Sequence, residues 1–314
     1  MIAHHIPVMK AEVLRYLAKT VVRTEQTPLF IDGCAGFGGH SVAILDFFPS
    51  SKLLCIDRDP SVREALTTRL KDYAPRVQFA TNSYAHACEE LQAAYGVSKA
   101  NGVLLDLGFN SMHVDTASRG FSFQKDGLLD MRYDQTQGVT AADLINSLDK
   151  CSLVSIFAEY SGESLRTCKH VVNAIANRRQ QRPFETTLDL ADCMNRALSS
   201  GRHSAKTPCT GLFQALRIAV NREFDHLDAF METLPSLLDH GGVAVFLCFH
   251  SLEVKRVKRW MRWYLDPQSQ WRASHQLEDN AFAILTPKPV LPTKEEIEEN
   301  HRSRSTVLYA VQRT

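Results

Sequence analysis

Leu29-Phe-Ile-Asp32, followed at once by Gly33-Cys-Ala-Gly-Phe-Gly-Gly39, reads as a short buried strand running into a glycine cluster. Ser41 to Phe48 reads as the helix that leaves it. Glycines directly after a first strand let the backbone approach a ligand, because they lack a Cβ and tolerate positive φ. The following helix presents free N–H groups and the positive end of its dipole. Gly36-Phe-Gly-Gly-His-Ser41 is close to the GxGxxG dinucleotide fingerprint, with Ser41 in the third glycine place. Asp57 lies 21 positions after Gly36, about where such folds bind a ribose hydroxyl.

Outward from that turn the pattern repeats. Lys52–Ile56 predicts a second strand ending in Asp57, and Pro60–Tyr73 a helix with proline at a tolerated early position. Val77–Ala80 is a third strand, Ala85–Tyr95 a helix, and Gly102–Asp106 a fourth strand. Such alternation indicates a parallel sheet covered on both faces. It then stops, and the next convincing strand is Gly242–Phe249. A parallel crossover needs only about a dozen residues, so the stretch between is an inserted domain. Helical patterns fill it at Ala141–Leu148, Ser152–Glu159, Leu165–Arg179, Thr187–Leu198 and a long run from Thr210. The expected organisation is a core of residues 1–111 and 226–314 interrupted by a helical insertion at 112–225. A basic helix (Leu252–Tyr264), a polar segment (Pro287–Pro292) and closing strands at Ala281–Leu285 and Thr306–Val311 complete it.

Composition excludes some classes. The 314 residues are 44% hydrophobic and 23% charged, as in ordinary globular proteins, and no apolar run is long enough to span a bilayer. Lys+Arg 36 against Asp+Glu 35 leaves a net charge of +1, so a nucleic-acid partner requires positive charge clustered on one face. The eight cysteines are scattered without a CxxC pair, several inside apolar runs, which indicates buried thiols in a reducing compartment. Met1–Val8 shows neither a signal peptide nor an Arg-rich transit pattern.

The glycine loop alone permits either an NAD enzyme or an S-adenosylmethionine (SAM) methyltransferase. Asp106-Leu-Gly108 tips the balance. It sits at the carboxyl edge of strand four, where an acid and a flexible turn suit the placing of a methyl acceptor. A turn or helix N-cap acid is the plainer reading of Asp106.

At this point the chain resembles the RsmH/MraW family nearly end to end. The matching segments are His5-Ile-Pro-Val8, Gly38-Gly-His-Ser41, Ile56-Asp-Arg-Asp-Pro60, Gly102-Val-Leu-Leu-Asp-Leu-Gly108, Arg119-Gly-Phe-Ser-Phe123, Leu129-Asp-Met-Arg132, Phe213-Gln-Ala-Leu-Arg-Ile218, Phe249-His-Ser-Leu-Glu253 and Arg302-Ser-Arg-Ser305. The resemblance implies a Rossmann-like, SAM-dependent methyltransferase: a mostly parallel α/β sheet with a large helical insertion between strands four and five. It implies N4-methylation of a cytidine in the decoding region of small-subunit rRNA, free or in an assembling subunit. SAM contacts are implied from Gly38, Gly39, His40, Asp57 and Asp106, with Gly36 in the loop and Tyr84 near the adenine. His113 stands where the family has a cofactor-contacting glutamine.

The chain departs from the family pattern at Asp106-Leu-Gly-Phe-Asn-Ser-Met-His113, where the family reads Asp-Leu-Gly-Val-Ser-Ser-Pro-Gln, and at Thr210-Gly-Leu212 and Leu252-Glu-Val-Lys255. Met112 and Asp115-Thr116 resemble the mitochondrial branch, which implies the mitochondrial matrix; the bacterial cytoplasm is the alternative. The departures motivate a second reading, an inactive methyltransferase-like RNA-binding factor in subunit assembly. An NAD-dependent oxidoreductase is the third.

For chemistry, the residues offer Asp106, Asn110 and Ser111 as catalytic candidates, with Phe109 as a base platform; ordinary turn chemistry is the alternative for Asn110 and Ser111. Phe213, Leu216, Val220 and Leu227 predict the core face of the run from Thr210. Thr210, Gln214, Arg217 and Asn221 form a polar stripe beside it, either meeting RNA or hydrogen-bonded internally. Lys255, Arg256, Lys258, Arg259 and Arg262, interleaved with Trp260 and Trp263, suit an RNA backbone or a solvated face. Arg178, Arg179 and Arg182 give a second basic cluster, and Arg132 and His250 join the expected RNA contacts. His250 and Glu253 lack a third ligand, so no metal is expected. The sequence leaves oligomeric state open and points to no membrane.

Overall fold

The computed structural model describes residues 6–22, 26–199, 209–265 and 281–314; the side chains of Ser111, Tyr264 and Leu265 lie outside that description. The described strands are β1 (Leu29–Asp32), β2 (Lys52–Asp57), β3 (Val77–Thr81), β4 (Ala100–Asp106), β5 (Leu238–Cys248), β6 (Phe282–Ile284) and β7 (Val307–Arg313). They form one sheet in the order β3-β2-β1-β4-β5-β7-β6. Pairing is parallel from β3 across to β5, whereas β7 runs antiparallel to β5 and to β6. The mostly parallel α/β class expected from the alternation is the class observed.

The central strands owe their place to composition. Every residue of β1 is buried, as are six of the seven in β4, because helices cover both faces of a parallel sheet. Asp32 aligns with Cys55 of β2 on one side and with Leu104 of β4 on the other. The chain winds outward from β1 through β2 to β3, then returns to β4 on the opposite flank. Between β1 and β4 the winding reverses, and beyond the carboxyl ends of two such strands an open sheet has its crevice.

The chain divides into two compact units, Met1–Gly108 with Asp225–Thr314, and Phe109–Phe224. The first contains the sheet; Phe30, Ile44, Leu53, Leu104 and Val245 belong to its buried core. The second is helical: Ser111–Asp115, Ala141–Ser147, Lys150–Tyr160, Leu165–Arg179, Thr187–Ser199 and Thr210–Asn221. Phe157, Val171, Ile175, Leu190, Met194 and Leu216 are buried together at its centre. Each such side chain contributes about 1.5–3 kcal/mol. Local chemistry starts these helices cleanly: Thr140 and Asp143 form a reciprocal capping box, and the Asp149 and Ser164 side chains each accept from a backbone N–H three residues on.

Several boundaries differ from the sequence reading. The run from Thr210 is two helices, Thr210–Asn221 and Glu223–Leu237, because Arg222 takes a left-handed conformation (φ 49°) and ends the first. Leu227 is therefore buried on the second helix, not in line with Phe213 and Leu216. Pro60–Tyr73 is an α-helix only over Arg63–Arg69, with 3-10 turns on either side. Strand β5 begins at Leu238, four residues early, through an irregularity in its pairing with β4 in which Gly241 has φ 79°. Helices at Lys10–Leu17, Ser111–Asp115 and Lys294–Glu299 lie where the sequence pattern predicts none.

Candidate cofactor crevice and insertion platform

The glycine loop closes into a ligand-ready turn. Gly38 has φ 78° and caps the helix Gly39–Phe47, so the conformation favours glycine, and a Cβ there would lie 2.8 Å from Leu66 Cδ1 and push that side chain aside. Gly33 N–H donates to Leu104 O (2.9 Å) and Ala35 N–H to Ile56 O (3.0 Å), which ties the loop to β4 and β2. Asp57 completes the frame: its Oδ2 accepts from Gly36 N–H (2.7 Å) and its Oδ1 from Asp59 N–H (2.9 Å). Tyr84, in the turn after β3, is buried behind this loop, its ring perpendicular to Phe230 at 5.7 Å. A Cβ on Gly33 would come within 3.1 Å of Tyr84 Cβ. Gly36, Gly38, Gly39, His40, Asp57, Tyr84 and Asp106 thus gather at one edge of the sheet.

The electrostatics of that edge are acidic. Asp32 is fully buried, and Ser41 Oγ donates to its Oδ2 (2.7 Å), while Oδ1 has no hydrogen-bond partner among the described residues. Burial pushes the Asp32 carboxyl up to about 6. Asp106 Oδ2 lies 3.6 Å from His40 Nε2, and its Oδ1 has no hydrogen-bond partner among the described residues. Burial, then the charges of Asp32 and Glu253, push Asp106 up to about 8. Cys34 senses the whole cluster: burial, then the charges of Asp57, Asp106, Asp32 and Glu253, hold its thiol well above the usual range. Glu253 is buried; its Oε2 accepts from Phe249 N–H (2.6 Å) and His250 N–H (3.2 Å), and His250 Nε2 lies 3.1 Å from Oε1.

Four carboxylates around one turn disfavour a pyrophosphate and favour a cationic ligand. The sequence reading overlooked Asp32 and treated Glu253 only as half of a metal pair. Asp32 was readable all the same: it ends its strand just as Asp57 and Asp106 end theirs.

Within the insertion, Asn110 caps the helix Ser111–Asp115, its side chain accepting from His113 N–H (3.3 Å), which is ordinary turn chemistry. Ser111 opens that helix, and its side chain lies outside the described atoms. His113 is buried, stacked on Phe121 (4.7 Å between centroids, 19° apart) and 5.2 Å from Tyr133. The polar stripe turns inward at its lower end. Arg217 makes a two-pronged ion pair with Glu223 (2.8 and 3.0 Å), and Tyr133 O–H donates to the same carboxylate (3.2 Å). Asn221 accepts from Tyr133 N–H (2.8 Å) and donates to Met131 O (2.7 Å).

Arg217 and Asn221, expected at RNA, are therefore committed to the insertion itself, because the left-handed Arg222 brings Glu223 back beneath Arg217. Arg132 is held by Asp130 (2.8 Å) and donates to Gln137 O and Gly138 O. Arg178 pairs with Asp189 and covers the Phe184 ring. Both arginines, expected at RNA, are ion-paired within the insertion. Gln214 is half-buried.

The helix Ser251–Leu265 of the core keeps its cations outside. Lys255, Lys258, Arg259 and Arg262 are exposed, while Val257 and Trp260 are buried and Trp260 Nε1–H donates to Met231 O (3.0 Å). Their spacing of three, one and three places the four cations on one face. Lys255, Lys258 and Arg262 have no carboxylate partner among the described residues; Arg256 pairs with Asp228.

Residues 2–314 match the model of the MraW methylase family. Among similar chains is the ribosomal RNA small subunit methyltransferase H of Leptospira interrogans, 36% identical over 316 residues, covering 99% of this chain and 89% of that one. The protein of the same name from a Cyanothece species is 38% identical over 310 residues, covering 98% and 94%. A solved rRNA methylase from Streptococcus thermophilus aligns over 98% of each chain with a TM-score of 0.42 and 10% identity.

Proposed function

This chain belongs to the MraW methylase family, and on that footing we propose that it transfers a methyl group from SAM to N4 of a cytidine in the decoding region of small-subunit rRNA. The observation that carries the proposal is the acidic crevice at the carboxyl ends of β1, β2 and β4. It complements a cationic nucleoside and opposes a dinucleotide. Gly36, Gly38, Gly39 and His40 would hold the cofactor through the loop and helix terminus, Asp57 through the ribose, and Tyr84 beside the adenine. When bound, SAM supplies an electrophilic methyl group on a sulfonium.

The remaining work belongs to the chain. The exocyclic amine of cytosine is a weak nucleophile because its lone pair is delocalised into the ring. An acceptor for its protons favours the reactive geometry and then removes the proton. Asp106 suits that role in its ionised form, which a bound cation favours. Asn110 is the second candidate, four residues on, with a carbonyl oxygen of two lone pairs. Lys255 and Lys258 would follow the RNA backbone. The substrate is the rRNA itself or the assembling small subunit.

Titrating SAM by calorimetry and mapping N4-methylcytidine on small-subunit rRNA tests the proposal. Micromolar SAM binding with site-specific methylation supports it. RNA binding without SAM binding would favour the assembly-factor reading raised by Asn110, Met112 and His113. The pattern at Met112 and Asp115-Thr116 supports the mitochondrial matrix, whereas the bacterial sources of the similar chains above fit the bacterial cytoplasm. Fractionation of the native cells separates the two.

A further inference from the structure

Phe109 is the first residue of the insertion and one of its exposed large apolar side chains, with 45% of its surface accessible. An isolated exposed phenylalanine needs no explanation. This one is built upon. The guanidinium of Arg217 lies 4.7 Å from the ring centroid, and the same guanidinium is locked in plane by its two-pronged pair with Glu223. Arg217 is only 8% exposed and Glu223 9%, so the pair is a rigid, nearly neutral floor. On its edge Phe109 meets Phe121 at 6.2 Å, and Phe121 stacks in turn with His113 and Tyr133. Burying an ion pair costs desolvation that a hydrophobic pair would avoid. Here that cost holds one aromatic ring in a fixed plane.

We propose that Phe109, seated on the Arg217–Glu223 pair, is a stacking platform for an unpaired nucleobase of the RNA substrate. The proposal rests on the methyltransferase reading above and adds to it the residue that grips the base. The chemistry of the ring selects the occupant. Its inner π-face is already taken by a cation, which draws electron density from the outer face. A second cation, such as a lysine or arginine of a protein partner, is therefore disfavoured there, and a neutral π-face is favoured. Unpaired bases splayed onto aromatic side chains are the usual means of reading single-stranded RNA. Arg217 and Glu223 act through Phe109 as positioning residues.

The test uses the full-length protein and short single-stranded RNAs covering the methylated site, with the fluorescent base 2-aminopurine placed at or beside the target nucleotide. The wild type should quench the fluorescence on binding. Phe109→Val should abolish the quench and weaken RNA binding about 5- to 100-fold, the range of one lost base stack. Phe109→Trp should restore both. Thermal unfolding and SAM affinity should stay unchanged, because the ring is exposed and belongs to the insertion rather than to the glycine loop. Equal quench and affinity in Phe109→Val would overturn the platform while leaving the methyltransferase reading intact. A wild type that binds SAM but no RNA would overturn the platform, and one that binds neither would overturn both.

Discussion

Replacing Asp106 by asparagine should make the SAM-free protein more stable and the enzyme worse. The carboxyl rises from 3.8 to about 8 in the folded chain, so folding holds a proton that the unfolded chain releases. A group with a raised folded pKa contributes its full stability only below the unfolded value. That stability is lost progressively as pH climbs from about 4 to about 8. At about 1.36 kcal/mol per unit, the four-unit shift sets an upper bound of about 6 kcal/mol at pH 8. The side chain keeps 21% of its surface exposed and shares its titration with Asp32, so about 2–4 kcal/mol is the better figure. The asparagine side chain cannot ionise and escapes this loss. Thermal unfolding of the SAM-free protein from pH 4 to 8.5 should show the two proteins nearly matched at the acid end. The variant should lead by roughly 5–10 °C at the alkaline end. Its SAM affinity should fall about 10- to 100-fold, as for a lost charged hydrogen bond. A difference in melting temperature that does not widen with pH, or a variant less stable at pH 8, would refute the reasoning.

Other outcomes follow from the same geometry. SAM affinity of the wild type should rise with pH up to about 8, because a cation selects the ionised Asp106; calorimetry in buffers of different ionisation enthalpy should detect proton release on binding. Gly38→Ala meets both φ 78° and a 2.8 Å approach to Leu66, so it should cost about 1–3 kcal/mol of stability and more than tenfold in SAM binding, read by denaturation and titration. Glu223→Gln leaves the buried Arg217 without its counter-charge and should destabilise the protein by about 3–5 kcal/mol in urea unfolding. Lys258→Glu with Arg262→Glu should weaken RNA binding alike for all sequences. The slope of log affinity against log salt should flatten by about 0.7 for each phosphate no longer neutralised.

The sheet was legible because its signals are local. Leu29–Asp32, Lys52–Asp57 and Ala100–Asp106 are short apolar runs, each ending in an acid, and the glycine cluster marks the turn that follows β1. The crevice residues were legible for the same reason, since strand ends fix where Asp57 and Asp106 stand. The polar stripe was not. Whether Arg217 faces solvent or a partner depends on Glu223, six residues on, and so on the left-handed Arg222, a conformation with no residue signature of its own. The partners of Arg132 and Arg178 were hidden in the same way: Asp130 and Asp189 are seen beside them only in the fold. Short helices such as Ser111–Asp115 carry too few residues for a period to show.

The most direct measurement is mass spectrometry of nucleosides from unmodified small-subunit rRNA incubated with the purified protein and SAM carrying an isotopically labelled methyl group. Labelled N4-methylcytidine at a single decoding-region position, absent with Asp106→Asn, is the predicted result. Label on another base or another atom, or no label from a protein that binds SAM, would contradict the account.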